Sequence, residues 1–141
     1  MPLSMDLWSK NLKEEILGEA TDKFLEMLLK GMDIAFFISG SYRKNIEGFR
    51  GRYLFKTADA TVAASVLFKD GDMKVKDDAI DDWDVMVTFK NHKALRDFIF
   101  SRDQDILNSI LANQVEVDGN LNYIYKFGFM ARDLARRVGA L

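Results

Sequence analysis

Residues 114–130, QVEVDGNLNYIYKFGFM, carry two competing periods. Val115 and Val117 alternate with Glu116 and Asp118 ahead of an Asp118-Gly119-Asn120 turn, the pattern of a half-buried strand. Beyond the turn Tyr123, Tyr125, Phe127 and Phe129 again fall at every second position, and both residue types favour strands. The longer window decides otherwise. Wound at about 3.6 residues per turn, Leu121, Tyr123, Ile124, Phe127, Gly128, Met130, Ala131, Leu134, Ala135 and Val138 gather on one half of a cylinder. Asn122, Lys126, Arg132, Asp133, Arg136 and Arg137 fall on the other half. A strand cannot sort residues in this way over such a span. The sequence therefore predicts strand, turn and helix, with Asn120 as a helix N-cap worth about 0.5–2 kcal/mol relative to alanine.

That helix carries a surplus of aromatic surface. Tyr125 and Phe129 stay on its polar side, four residues apart, and Arg132 and Arg136 continue the line. Leaving such rings in water forgoes roughly 1.5–3 kcal/mol each, so something is expected to cover them. Another helix or the N-terminal segment is one candidate. The other is a docking stripe, with aromatics entering a lipid interface and arginines meeting anionic headgroups. The apolar half of the helix must lie on a sheet, either as filled core or as the wall of an apolar cavity in which methionine adapts to the occupant.

Upstream, the sheet can be read from period-two alternation. Tyr53 and Phe55, then Val62, Ala64, Val66 and Phe68, mark two antiparallel strands. Asp70-Gly71 in KDGD supplies the positive φ angles of a type I′ hairpin turn, after which Met73 and Val75 begin the return strand. Trp83, Val85, Val87 and Phe89 form a fourth strand, and the 115–117 segment a fifth. Helical stripes are predicted over residues 11–30, with Gly31 as a stop, and from about Asp33 to Ile46, with Gly40 as a weak point. A helix capped by Asn91 carries Ala94, Leu95, Phe98 and Ile99, and a second short stripe carries Ile106, Leu107, Ile110 and Leu111.

At 141 residues, one domain is expected over 1–141, with 1–31 as a helical extension and 32–141 as its core. Hydrophobic residues make up 48% and charged residues 30%, an ordinary globular balance. A net charge of -2 argues against a nucleic-acid partner, which calls for a basic excess. There is no cysteine, so disulfides, thiolate metal sites and cysteine nucleophiles are excluded. The first dozen or so residues are charged and lack a signal-peptide pattern, and IAFFI at 34–38 is far shorter than the ~20 residues of a membrane span. A soluble cytoplasmic protein is expected.

The sequence carries no recognisable catalytic signature. The sole histidine, His92, sits at a strand-helix junction with no nucleophile constellation beside it, and reads as a surface loop residue. Asp77, Asp78, Asp81, Asp82 and Asp84 lack the oxygen spacing of an EF-hand and read as a solvated loop. Neither GSYRKN nor GFRGR matches a phosphate-cradling motif, and Arg43, Lys44, Arg50 and Arg52 read as solubilising charge. No cofactor, metal or enzymatic activity is implied.

The order of these elements, above all the Asp-Gly hairpin, the strand DDWDVMVTFKN and the strand-turn-helix QVEVDGNLNYIYKF, resembles the sterol carrier protein type two family over roughly residues 36–138. The resemblance implies an α+β fold: a five-stranded, mainly antiparallel twisted sheet covered on one face by helices. The extra N-terminal helix would pack on the open face or mediate self-association as a homodimer. It also implies non-catalytic carriage of a fatty acyl, sterol-like or isoprenoid lipid in a tunnel between the layers, with transient membrane contact. By position the tunnel wall would be Val87, Phe98, Leu107, Leu111, Tyr123, Phe127 and Met130. The chain ends Gly139-Ala140-Leu141, without the peroxisomal tripeptide found in many eukaryotic members. The competing expectation is an accessory interaction module with a filled core, docking through its N-terminal helix or the Tyr125/Phe129 stripe.

Overall fold

The computed structural model describes residues 3–18, 22–100 and 113–140, with side chains from Trp8 onward. The described helices are α1 (Leu3–Leu17), α2 (Phe24–Ile38), α3 (Gly40–Arg43), α4 (His92–Ile99) and α5 (Leu121–Arg137). The strands are β1 (Gly51–Thr57), β2 (Ala63–Lys69), β3 (Asp72–Lys76), β4 (Val85–Phe89) and β5 (Val115–Gly119). They form one sheet in the order β3-β2-β1-β4-β5. Every neighbouring pair is antiparallel except β1 and β4, which run parallel. The architecture is α+β, with a mainly antiparallel sheet.

The period-two alternation sets which face is buried. Tyr53 stands between Val66 and Val85, and Phe55 between Ala64 and Val87, so these side chains share one face. All are buried, as are Phe68, Phe89 and Val115 in neighbouring rows. The helices α2, α4 and α5 cover this face, and α1 packs on α2. The opposite face mixes Lys74, Lys76, Lys56 and Glu116 with Leu54, Leu67 and Met86. Because β3 is an edge strand and β4 is not its neighbour, residues 77–84 must cross β2 and β1. They do so over this second face, where Ser65 Oγ donates to the Asp78 carbonyl at 2.6 Å, satisfying a buried hydroxyl.

The predicted punctuation is present. Asp70 and Gly71 hold φ values of 54° and 77° in the β2–β3 turn. Asn91 accepts a hydrogen bond from the Ala94 amide at 2.8 Å, and Asn120 from the Asn122 amide at 2.9 Å, capping α4 and α5. Gly119, at φ 99°, is required by more than the turn: a Cβ there would lie 2.3 Å from the Asp84 carbonyl oxygen. Asp84 in turn exchanges backbone-level hydrogen bonds with Arg52 at both its amide and its carboxylate, each 2.8 Å. The tip of β5 is thereby pressed onto the start of β4, which fixes where α5 leaves the sheet.

The N-terminal helices depart from expectation. α1 ends at Leu17 and α2 begins at Phe24, so the expected helix stop at Gly31 falls inside α2. Gly31 is not a helix stop but a close-approach site, since a Cβ there would come within 2.8 Å of Leu12 Cδ2. The periodicity of a packed stripe continues through such a glycine because the neighbouring helix occupies the missing side chain's place. The expected second helix also ends early. Ser39 is extended and caps α3 by accepting from the Tyr42 amide at 3.2 Å, and a 3-10 turn at Lys44–Ile46 follows. Of the two roles expected for the N-terminal helix, packing on the open sheet face or self-association, the first is not the arrangement found, because α1 lies on α2.

Candidate ligand-binding site

The helix face and the sheet meet in a seam of aromatic side chains. Phe127 on α5 packs against Phe55 at a ring-centroid distance of 4.9 Å and against Tyr53 at 5.5 Å. Phe98 and Ile99 from α4 and Ile124 and Gly128 from α5 complete a void of only about 10 Å³ beside Phe55. A space that small barely reaches the roughly 10–15 Å³ needed by one water molecule. Tyrosine hydroxyls pin the helix at either end of the seam: Tyr53 donates to the Tyr123 carbonyl at 2.7 Å and Tyr42 to the Met130 carbonyl at 2.9 Å. Burial pushes both phenols above their ordinary range, with Asp133 adding to the effect at Tyr42, and Tyr123 and Asp84 at Tyr53.

Of the wall residues named from sequence, Val87, Phe98, Phe127 and Met130 are buried and Tyr123 is half-buried. Phe98 and Phe127 meet at the small void. Leu107 and Leu111 lie outside the described residues. On the outer face of α5, Tyr125 is 38% and Phe129 50% exposed, and Arg136 is exposed. Arg132 leaves that line. Its Nη1 donates to the Ile99 carbonyl at 3.3 Å across Gly128, where the lack of a side chain opens the way to the C-terminal end of α4.

A larger space lies at the β3 edge of the same interlayer region. An open groove of about 480 Å³ runs between α2 and strands β2 and β3, within the usual span of ligand sites of ~300–1,000 Å³. Leu25 and Leu29 of α2 face Val62, Ala64 and Val75 across it, and Asp22, Glu26, Asp33, Asp77 and Lys30 stand among the lining groups with His92. Val75 sits in the same row as buried Val66 and Tyr53, yet is 38% exposed because no strand continues the sheet beyond β3. The alternation of the β2–β3 hairpin marks Val75 as inward-facing, but the spacing of the layers at an edge is not written in the sequence.

His92 departs from the surface-loop expectation. It is the first residue of α4, half-buried, with its ring edge-on to Phe89 at 5.5 Å. Burial moves its pKa down, opposed by the charges of Asp22 and Glu15. Burial likewise raises the Asp33 carboxyl. Among the described residues no cluster of three or more histidine, aspartate or glutamate side chains could hold a metal ion, and no helix is long and apolar enough to cross a membrane.

No family model and no curated protein sequence matches the chain. Solved structures do match its fold. A ubiquinone synthesis protein, UbiJ-SCP2, superposes with a TM-score of 0.57 at 16% identity, covering 79% of this chain and 98% of its own. The sterol carrier protein domain 2 of Helicoverpa armigera gives 0.56 at 18% identity, over 88% of this chain and 98% of its own. The sec-alkylsulfatase Pisa1 from Pseudomonas sp. gives 0.57 at 18% identity, over 77% of this chain but only 16% of the sulfatase. The five-stranded sheet with its helical cover is thus the fold of the sterol carrier protein type two domains.

Proposed function

We propose that this chain binds a hydrophobic ligand without covalent chemistry, between its sheet and its helices, and carries or presents it. The ligand class is a fatty acyl, sterol-like or isoprenoid lipid. The likeness of fold to lipid-carrier domains supports this reading, and the observation that carries it is the 480 Å³ groove with an apolar floor between α2 and the β2–β3 edge. Binding there draws on burial of apolar surface, at roughly 25 cal/mol per Å² removed from water. The wall named from sequence, Val87, Phe98, Leu107, Leu111, Tyr123, Phe127 and Met130, is the second part of the proposal. An alkyl chain reaches it only if Phe98 and Phe127 move apart, since the void between them is about 10 Å³.

Native mass spectrometry of the purified protein tests the proposal, with 1-decanol added as a neutral probe. A one-to-one adduct is expected. An adduct weakened by Leu29→Asp places the ligand in the groove, whereas one weakened by Phe98→Trp places it in the seam. No adduct at any probe concentration would count decisively against carriage.

The closed seam favours a second reading, an accessory module whose core holds nothing and whose exposed Tyr125 and Phe129 dock on a membrane surface or protein partner. Under that reading α5 variants change association and leave decanol uptake, if there is any, untouched.

A further inference from the structure

The rim of the α2–β2–β3 groove is electrostatically one-sided. Among the described residues Asp22, Glu26, Asp33 and Asp77 line it against a single ammonium, that of Lys30. Among the described residues none of these five groups takes part in a salt bridge, and the ion pairs between described residues lie at Arg52–Asp82, in α4 and in α5. Among the described residues neither ring nitrogen of His92, which also lines the groove, has a hydrogen-bond partner, and both nitrogens are buried. The floor beneath is apolar, formed by Leu25, Leu29, Ala64 and Val75.

We infer that the groove selects an amphiphilic ligand by its headgroup, accepting a protonated amine on an apolar body and rejecting a carboxylate or phosphate. This rests on the reading of the groove as the ligand site and narrows its ligand class. An ammonium carries donors only. It supplies the charge the rim lacks, and its N–H groups meet carboxylate oxygens of the rim. Asp33, whose carboxyl is already partly desolvated, gains most from such a partner. An anionic headgroup on the same tail would instead face four like charges across a low-dielectric floor, where repulsion is screened less than in open water.

Three probes that share a tail separate the headgroup from the hydrophobic contribution: decylammonium, 1-decanol and decanoate, each titrated into the full chain by isothermal calorimetry at pH 7. Decylammonium is expected to bind about tenfold or more tightly than decanol, with decanoate weakest. In the double variant Asp33→Asn/Asp77→Asn the advantage of decylammonium over decanol should shrink by about tenfold. Rising salt should narrow the same gap. Equal affinities for the three probes, or a cation preference that survives the double variant, would overturn the headgroup inference alone. Absence of binding by all three overturns the site as well.

Discussion

The hydroxyl of Tyr42 donates a 2.9 Å hydrogen bond to the backbone carbonyl of Met130, 88 residues away, and ties the short helix α3 to the middle of α5. Tyr42 is fully buried and stacks on Phe36 at 4.4 Å, so its ring fastens the N-terminal half of the helical layer to the C-terminal helix. Tyr42→Phe keeps the ring and removes only the bond. A loss of about 0.5–1.5 kcal/mol in urea unfolding is expected at pH 7. Because burial raises the phenol's pKa above its ordinary 10.0, the folded state holds its proton more tightly than the unfolded chain. The corresponding stability is complete below pH 10 and drains away as pH rises beyond it. Wild type should therefore lose more stability than Tyr42→Phe between pH 10 and 12, and equal losses would show that Tyr42 has no part in alkaline unfolding.

Gly119 and Gly71 both hold positive φ, at 99° and 77°, but only Gly119 has a neighbour where a Cβ would go. Gly71→Ala should cost roughly 1–2 kcal/mol, the strain of the left-handed backbone alone. Gly119→Ala adds a collision with the Asp84 carbonyl and should cost on the order of 3 kcal/mol or more. Chemical denaturation of the two variants side by side gives the comparison; a cost at Gly119 no larger than at Gly71 would mean the β4–β5 junction relaxes freely.

Phe127 and Phe129 lie two positions apart on α5 and differ in burial, at 1% and 50% exposure. Phe127→Ala opens a cavity beside Tyr53 and Phe55 and should destabilise by about 3–5 kcal/mol. Phe129→Asp should change stability by less than about 1 kcal/mol. If the outer face of α5 docks on anionic membrane, Phe129→Asp also abolishes co-sedimentation with phosphatidylserine vesicles, and retention of wild-type sedimentation would remove Phe129 from any such contact.

Much of this architecture is legible from local pattern. The strand rows follow from alternation, because a pleat sends neighbours to opposite faces. Asp70-Gly71, Asn91 and Asn120 announce a turn and two caps through side-chain chemistry that needs no tertiary context. The aromatic run resolved as a helix for the same reason. What escaped the sequence depends on long-range approach. Gly31 looks like a terminator until Leu12 occupies its place, and Arg132 looks like surface charge until Gly128 lets it reach Ile99. The groove was missed because its volume depends on how far α2 stands from an edge strand, a distance no periodicity encodes. Its residues had separate signals: Val75 as an inward residue on a terminal strand, and Leu25 and Leu29 on one stripe with acids beside them.

Carriage of an apolar ligand between the layers is tested most directly by isotope-filtered nuclear Overhauser spectroscopy, using unlabelled 1-decanol and protein carrying ¹³C methyl groups on leucine, isoleucine and valine. Cross-peaks from the decanol chain to the methyls of Leu25, Leu29 and Val75 are expected, with further peaks to Ile99 and Ile124 if the seam opens. Saturating decanol that yields no cross-peak to any methyl of either group would contradict the proposed binding outright.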